Sequence, residues 1–316
     1  MNRKSFQVRD LAQLRGQTPT YLAIGVFDGV HLGHQRLIES MVAEAKRNGA
    51  RPAVLTFFPH PGTVINGRTG RLYLSSLDER VTLLAELGLD LVITKEFDEE
   101  FRQTRAADFI DLLIRNVKLK QLWGGNFGLG YQREGDYAFL KELGLDRGFT
   151  VHEFKAMVKW GDSYVSSSRV RRALERGDIT EASGCLGRPY RLTGTVVPGD
   201  GRGKHIGIPT ANLEVWDELV LPANGVYAAQ AALDSELYPA AVNIGFRPTV
   251  NGHSLNIEAH LLDFEGDIYG QKLAIDFLSR IRDEQKFPSL EALVSQINKD
   301  ISMVRSLHGV PPPRDK

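Results

Sequence analysis

The chain carries a single cysteine, Cys185, in 316 residues. No intrachain disulfide can form, and a metal site built on several thiolates is not available. The thiol is expected to be a small, half-buried side chain. Neither sign of charge is in excess, because 39 lysines and arginines face 39 aspartates and glutamates. That balance excludes a protein that holds nucleic acid by bulk electrostatics, though not a local basic patch. Long apolar runs are also missing. None approaches the roughly 20 residues that cross a bilayer. Residues 1–14 are polar and charged, without the apolar stretch of a secretory signal. The expectation is a cytoplasmic protein in a reducing compartment that touches neither membrane nor nucleic acid. No internal repeat or low-complexity segment is found.

What is present reads as two domains. The apolar fraction is 42% and the charged fraction 25%, as in ordinary globular proteins. At roughly 100–200 residues per domain, two cores are expected. In the first half, short apolar runs at 21–27, 53–58, 91–94, 119–123 and 149–154 alternate with helical patterns. Those patterns begin at Gly33 and recur over 77–87, 109–117 and 137–143. Such alternation predicts a parallel sheet covered on both faces, with ligands at the carboxyl ends of the strands. Two short helices are predicted at 168–176 and 179–186. Beyond residue 187 short strands follow one another, at 191–197, 226–233, 240–244, 256–262 and 272–278, with a candidate sixth at 212–215. This part reads as an antiparallel barrel or sandwich. A helix over 290–304 is expected to pack on it, and 311–316 to be disordered. The predicted domains are 1–186 and 187–316.

Two segments carry chemistry. The run Gly25-Val26-Phe27-Asp28-Gly29-Val30-His31-Leu32-Gly33-His34 leaves a strand and enters a helix. A helix start exposes unpaired N–H groups and attracts phosphate. His31 and His34 can add donors that stabilise charge on a phosphate as a bond to it breaks. A loop-and-packing role for the two histidines is the plain alternative, and a zinc site with His60 as a remote third ligand is another. In the second half, Gly201, Gly203, Lys204 and Gly207 form a basic, glycine-rich stretch before Pro209-Thr210-Ala211-Asn212. It is not a Walker A sequence. Thr210 and Asn212 share one side of an extended segment, and two neutral oxygens there suit Mg²⁺ with phosphate and water ligands. Glu258 interrupts an apolar strand pattern, where a carboxylate is costly without a task or a partner.

The first segment resembles the HxGH signature of the nucleotidyltransferases. The longer string resembles the FAD synthetase module of prokaryotic bifunctional riboflavin kinase/FAD synthetases. Thr56-Phe57-Phe58-Pro59-His60-Pro61, the loop from Trp123 through Asn126 to Asp136, and Val165-Ser166-Ser167-Ser168-Arg169-Val170-Arg171 are similar to further elements of that module. Gly128 and Leu129 depart from its usual loop. The resemblance implies a Rossmann-like α/β adenylyltransferase. Its ATP site would use Gly25, Phe27, Asp28, Gly29, His31, His34, Asn126, Ser166, Ser167, Ser168 and Arg171, with catalytic roles for His31, His34 and Arg171. Its flavin site would use Phe58, His60 and Pro61. The second segment resembles the G-x-G-x-x-x-G-x-P-T-A-N motif of riboflavin kinases, and the stretches at 222–227, 243–249, 258–264 and 282–287 continue that likeness. This implies ATP contacts from Gly201, Gly203, Lys204, Gly207, Thr210 and Asn212, with Mg²⁺ on the last two. Glu258 would be the general base, and Arg282, Glu284 and Phe287 would hold the flavin. The implied reactions phosphorylate riboflavin with ATP to give FMN and ADP, then adenylylate FMN to FAD with release of pyrophosphate. A monomer or weak homo-oligomer is expected. A chain with one decayed site, a nucleotidyltransferase for another phosphate, and a non-catalytic flavin binder are the competing readings.

Overall fold

The computed structural model describes residues 6–9, 11–14, 16–155, 157–199, 201, 203, 206–249 and 252–309. Lys204 and the tail 311–316 lie outside them. The chain divides into two compact units, Met1–Ser167 and Ser168–Lys316.

In the first unit a six-stranded parallel sheet has the order β1-β4-β3-β2-β5-β6. Its strands are β1 Phe6–Val8, β2 Thr20–Ile24, β3 Arg51–Phe58, β4 Leu91–Glu96, β5 Leu119–Gly124 and β6 Thr150–Glu153. The central strands are apolar almost throughout because both faces are covered. Successive residues of β2 serve opposite cores. Tyr21 and Ala23 pack with Ile38, Met41 and Leu84 from helices α1 (Leu32–Arg47) and α3 (Leu77–Glu86). Leu22 and Ile24 pack with Phe109, Ile110, Leu113 and Leu140 from α5 (Ala106–Val117) and α6 (Tyr137–Arg147). Two short helices, α2 (Pro61–Asn66) and α4 (Glu99–Arg102), sit in the loops after β3 and β4. The sequence pattern predicts five strands here. The sixth, β1, pairs with β4 at the sheet edge and is too short to show a period. A two-residue hairpin, β7 Lys159–Trp160 with β8 Ser163–Tyr164, was equally invisible.

The second unit is a closed antiparallel barrel of six strands, ordered β10-β13-β12-β11-β14-β9. They are β9 Tyr190–Val197, β10 Ala211–Val215, β11 Gly225–Leu233, β12 Glu236–Thr249, β13 Gly252–Leu261 and β14 Lys272–Arg282. The candidate sixth strand is therefore real, and β12 is far longer than the five residues predicted for it. Barrel composition begins at 187, but the compact unit begins earlier. Helices α7 (Ser167–Glu175) and α8 (Ile179–Leu186) are tied to the barrel. The Ala223 N–H donates to the Leu174 carbonyl (2.9 Å), and Arg280 donates to the carbonyls of Arg176 (3.4 Å) and Asn224 (2.6 Å). Cys185, on the inner face of α8, is fully buried rather than half-buried, and burial pushes its thiol pKa up. The last helix, α9 (Leu290–His308), packs Val304 against Ala228 and Leu262 and ends one turn later than predicted, at Gly309.

Candidate active sites

β2 ends at Ile24, and residues 25–31 turn the chain into α1. Phe27 (φ 51°) and Val30 (φ 42°) adopt left-handed backbones beside Gly29 (φ 74°). A β-branched residue there is strained, and such strain gathers at functional turns. His31 caps α1. Its Nδ1 accepts the N–H groups of Gly33 (3.2 Å) and His34 (3.4 Å). An accepting Nδ1 places the ring proton on Nε2. His31 thus satisfies two orphan helix amides and still carries a donor. Its ring stacks on that of His34, with centroids 3.6 Å apart and planes 18° apart. Phe27 meets His34 edge-on at 5.2 Å.

Burial holds the His34 pKa well below 6.5, and the neighbouring His31 ring and Arg80 guanidinium lower it further. His34 is therefore neutral at pH 7. The sign of the stability effect follows: below pH 6.5 the unfolded chain takes up a proton that the folded chain refuses, so acid favours unfolding. The first unit should lose stability as the pH drops from 6.5, by at most about 1.4 kcal/mol per pH unit. Melting temperatures from pH 7 to 5 should show this slope in the native chain and a shallower one in His34→Gln.

His60 performs a parallel task elsewhere. It caps α2, with Nδ1 accepting the Gly62 N–H at 2.9 Å. That commitment leaves it a poor third partner for the zinc alternative, and among the described residues no cluster of three or more histidine, cysteine or acidic side chains is arranged to hold a metal. Near these turns a cavity of about 540 Å³ opens at the carboxyl ends of β2 and β3. Its wall is aromatic, from Phe57, Phe97, Phe101 and Phe109, with Arg102 and Arg133 among the polar residues. Gly25, Pro61 and Asn126 line it as well, whereas Phe58, His60, His31 and His34 do not. Of the four phenylalanines, Phe57 and Phe109 fell in predicted elements, and Phe97 and Phe101 lie outside every element the sequence pattern predicts. The atypical loop is braced by pairing of Leu129 with Gly135. A Cβ on Gly130 would stand 2.4 Å from the Ala106 nitrogen, so the loop can seat on α5 only with glycine there. Of the serine run, Ser166 and Ser167 are half-buried, and the Ser167 hydroxyl donates to the Asp28 carbonyl at 3.0 Å. Ser168, exposed, and Arg171, half-buried, follow in α7 within the second unit.

The barrel encloses a larger cavity of about 750 Å³. Strand register builds its polar wall. Asn212 of β10 lies directly opposite Glu258 of β13, and Glu258 lies opposite Asn243 of β12. Residues directly opposite one another share a face of the sheet. Asn256, two residues before Glu258 on the same face, donates its Nδ2 to Glu258 Oε1 at 2.7 Å. Thr210 lines the cavity from the segment entering β10, and His260 Nδ1 donates to the Pro209 carbonyl at 2.7 Å. Two glycines leave a cradle beside these groups. A Cβ on Gly199 would fall 2.1 Å from Asn212 Nδ2, and one on Gly203 would fall 2.3 Å from the Ile208 carbonyl oxygen. Gly201 and Gly203 line the cavity, while Gly207 (φ 75°) shapes the loop outside it.

An apolar part of the lining comes from Phe287 with Leu290, Leu293 and Ile297 of α9. The sequence assigned that helix only to packing. Arg282, Glu284 and Phe287 all reach the cavity. Arg282 is bound by Asp300 of α9, with Nη2 to Oδ2 at 2.7 Å, and lies 5.7 Å from the Phe287 ring centre. Glu284 lies over the Gly245 backbone, where a Cβ would fall 2.3 Å from its Oε1.

Residues 14–169 match the family model described as FAD synthetase, and residues 186–308 match that described as riboflavin kinase. The chain is thus two transferase modules in tandem. A bifunctional riboflavin kinase/FMN adenylyltransferase from Pseudomonas fluorescens is 38% identical over 304 residues, covering 95% of this chain and 97% of that protein. The protein of the same name from Escherichia coli (strain K12) is 37% identical over 295 residues, 92% of this chain and 94% of that one. The chain belongs to the bifunctional riboflavin kinase/FMN adenylyltransferase family. A solved structure named as a macrolide-efflux protein from Streptococcus pneumoniae is similar with a TM-score of 0.84 at 28% identity, over 95% of this chain and 98% of that one. Among the described residues no helix is long and apolar enough to cross a membrane.

Proposed function

We propose that residues 187–316 transfer the terminal phosphoryl group of ATP to the ribityl 5′-hydroxyl of riboflavin, giving FMN and ADP. Residues 1–186 then transfer AMP from a second ATP to FMN, giving FAD and pyrophosphate. The observation that carries this reading is the row Asn212–Glu258–Asn243 across three strands, lining one cavity together with the apolar residues of α9.

In the kinase, the flavin ring rests on Phe287 and the apolar face of α9, which brings its ribityl chain to Glu258. Glu258 accepts the hydroxyl proton while Asn256 fixes one carboxylate oxygen. Gly201, Gly203 and Lys204 approach the ATP phosphates. Thr210 and Asn212 offer neutral oxygens beside the glycine cradle, a donor set that fits Mg²⁺, and the bound ion would neutralise phosphate charge. Arg282, held by Asp300, anchors α9 to the barrel and with it the flavin wall.

In the adenylyltransferase, the FMN phosphate is already nucleophilic, so no strong base is needed. The Nε2–H of His31, neutral His34 and the hydroxyls of Ser166 and Ser167 stabilise the α-phosphate and the departing pyrophosphate. The aromatic cavity holds the flavin. Gly25, Phe27, Asp28 and Gly29 shape the turn, and Asn126 positions a phosphate or ribose. The protein works in the cytoplasm as a monomer or weak homo-oligomer, with riboflavin, FMN and ATP as its ligands. The test is an incubation of purified protein with riboflavin, ATP and Mg²⁺, resolved by chromatography over time. FMN should appear first and FAD after it. Accumulation of FMN alone would remove the adenylyltransferase reading.

A second outcome concerns the cradle. Gly199→Ala forces Asn212 off its place, since its new methyl would stand 2.1 Å from Nδ2. Riboflavin phosphorylation should fall at least about ten-fold, within the cost of a 1 Å misplacement. FMN adenylylation in the same sample should not change.

A further inference from the structure

We propose that the segment 73–80 is the positioning element of the N-terminal site, holding the histidine turn 26–31 in register with the turn 58–61 at the cavity rim. The proposal rests on the adenylyltransferase reading above. No motif resemblance assigns a role to this segment, yet it touches both turns. The hydroxyl of Tyr73 accepts the His60 N–H at 2.7 Å. The Leu74 N–H donates to both carboxylate oxygens of Asp28, at 3.0 and 3.1 Å, and Ser75 Oγ accepts the Gly29 N–H at 3.3 Å. Arg80 completes the brace. Its Nη1 donates to the Val26 carbonyl (3.0 Å), the Phe57 carbonyl (3.2 Å) and Thr56 Oγ1 (3.4 Å). Its Nη2 lies 3.6 Å from Asp28 Oδ1.

These contacts are dry. Tyr73, Ser75 and Arg80 are 0% exposed, Leu74 and Asp28 2%. A buried ion pair is a poor source of stability, because removing both charges from water costs about as much as their attraction returns. What a guanidinium supplies is geometry, several donors at fixed angles on one planar group. Here one of them, Nη1, is directed to the ends of β2 and β3 while Nη2 faces Asp28, and both carbonyl acceptors belong to residues that line the cavity. Next to them stands the left-handed turn of Phe27 and Val30, which local preference alone would not maintain. Arg80 is therefore a positioning residue. It acts through the turns and touches no reacting atom.

The test uses the full-length enzyme, with FMN→FAD and riboflavin→FMN rates taken from the same samples, each assayed well below its melting temperature. The native chain must first convert FMN to FAD; if it does not, the adenylyltransferase reading fails and takes this proposal with it. Tyr73→Phe deletes one hydroxyl and releases only the rim turn. Its KM for FMN should rise about five-fold, the worth of one hydrogen bond, with KM for ATP within about two-fold of native. Arg80→Lys keeps a positive charge beside Asp28, but its ammonium sits one bond nearer the backbone and cannot reach the place of Nη1 between the Val26 and Phe57 carbonyls. Its kcat for FMN→FAD should fall by about 10- to 100-fold, while riboflavin→FMN stays at the native rate. Native kcat and KM values in both variants, with only lowered melting temperatures, would overturn the proposal and leave the segment as plain core. If Arg80→Lys does not fold, Tyr73→Phe decides alone, and an unchanged KM for FMN overturns the proposal.

Discussion

Glu258→Gln should abolish riboflavin phosphorylation and leave FMN adenylylation at the native rate. Glutamine has the shape of glutamate and can still accept the Asn256 Nδ2–H now held at 2.7 Å. The cavity wall should therefore keep its form. What is lost is the ability to take a proton from the ribityl hydroxyl. General-base catalysis of this kind contributes about 10²- to 10⁴-fold, and the loss should appear in kcat with KM for riboflavin nearly unchanged. Supplying riboflavin and FMN in separate assays isolates the two activities on one protein. A variant that phosphorylates riboflavin within about three-fold of native would remove Glu258 from the base role, since even the low end of that range is larger.

A pair of substitutions at His31 should separate its two tasks. His31→Ala removes both the cap of α1 and the Nε2–H donor. His31→Asn restores a side chain favoured at N-caps but does not reproduce the imidazole donor. FMN→FAD should fall about 10²- to 10³-fold in both, the usual result of deleting one donor aimed at developing charge. Only the alanine variant should also lose about 1 kcal/mol of stability, the ordinary worth of an N-cap. Rate measurements with FMN as substrate, paired with melting curves, decide it. Recovery of activity in His31→Asn would make the histidine a capping residue and nothing more.

Much of this was legible in the sequence. The alternation of apolar runs with helical spacing gave both faces of the first sheet, and closely spaced strands after residue 187 gave an antiparallel barrel or sandwich, which the structure resolves as a closed barrel. Glu258 stood out because a carboxylate within an apolar strand needs a reason. What stayed hidden has physical causes. β1 is three residues long, less than any period can show. The aromatic cavity was masked because Phe57 and Phe109 obey the same spacing as core residues and belong to the core. The apolar wall supplied by α9 was masked likewise, since a helix stripe reads the same whether it faces a strand or a ligand. Arg80 was missed because a single arginine in an amphipathic helix looks solvent-facing, and only the three-dimensional turn at 26–28 reveals where its donors go. Phe58 and His60 matched the motif but stand outside the cavity lining, while their neighbour Pro61 lies within it. A motif locates a turn more securely than it locates the side chains that the turn presents.

The two units also differ in how their sheets end. The barrel closes on itself, β9 bonding both β10 and β14, so its strands leave no free row of amides and carbonyls. The first sheet is open and ends on strands of three and four residues, β1 and β6. Short borders of this kind blunt edge-to-edge association while they stay docked. Loss of β1 would bare β4, whose buried residues Leu91 to Thr94 form a strand ready to pair with another chain. Heat or mild denaturant that frees β1 should therefore make this protein self-associate through the bared edge of β4.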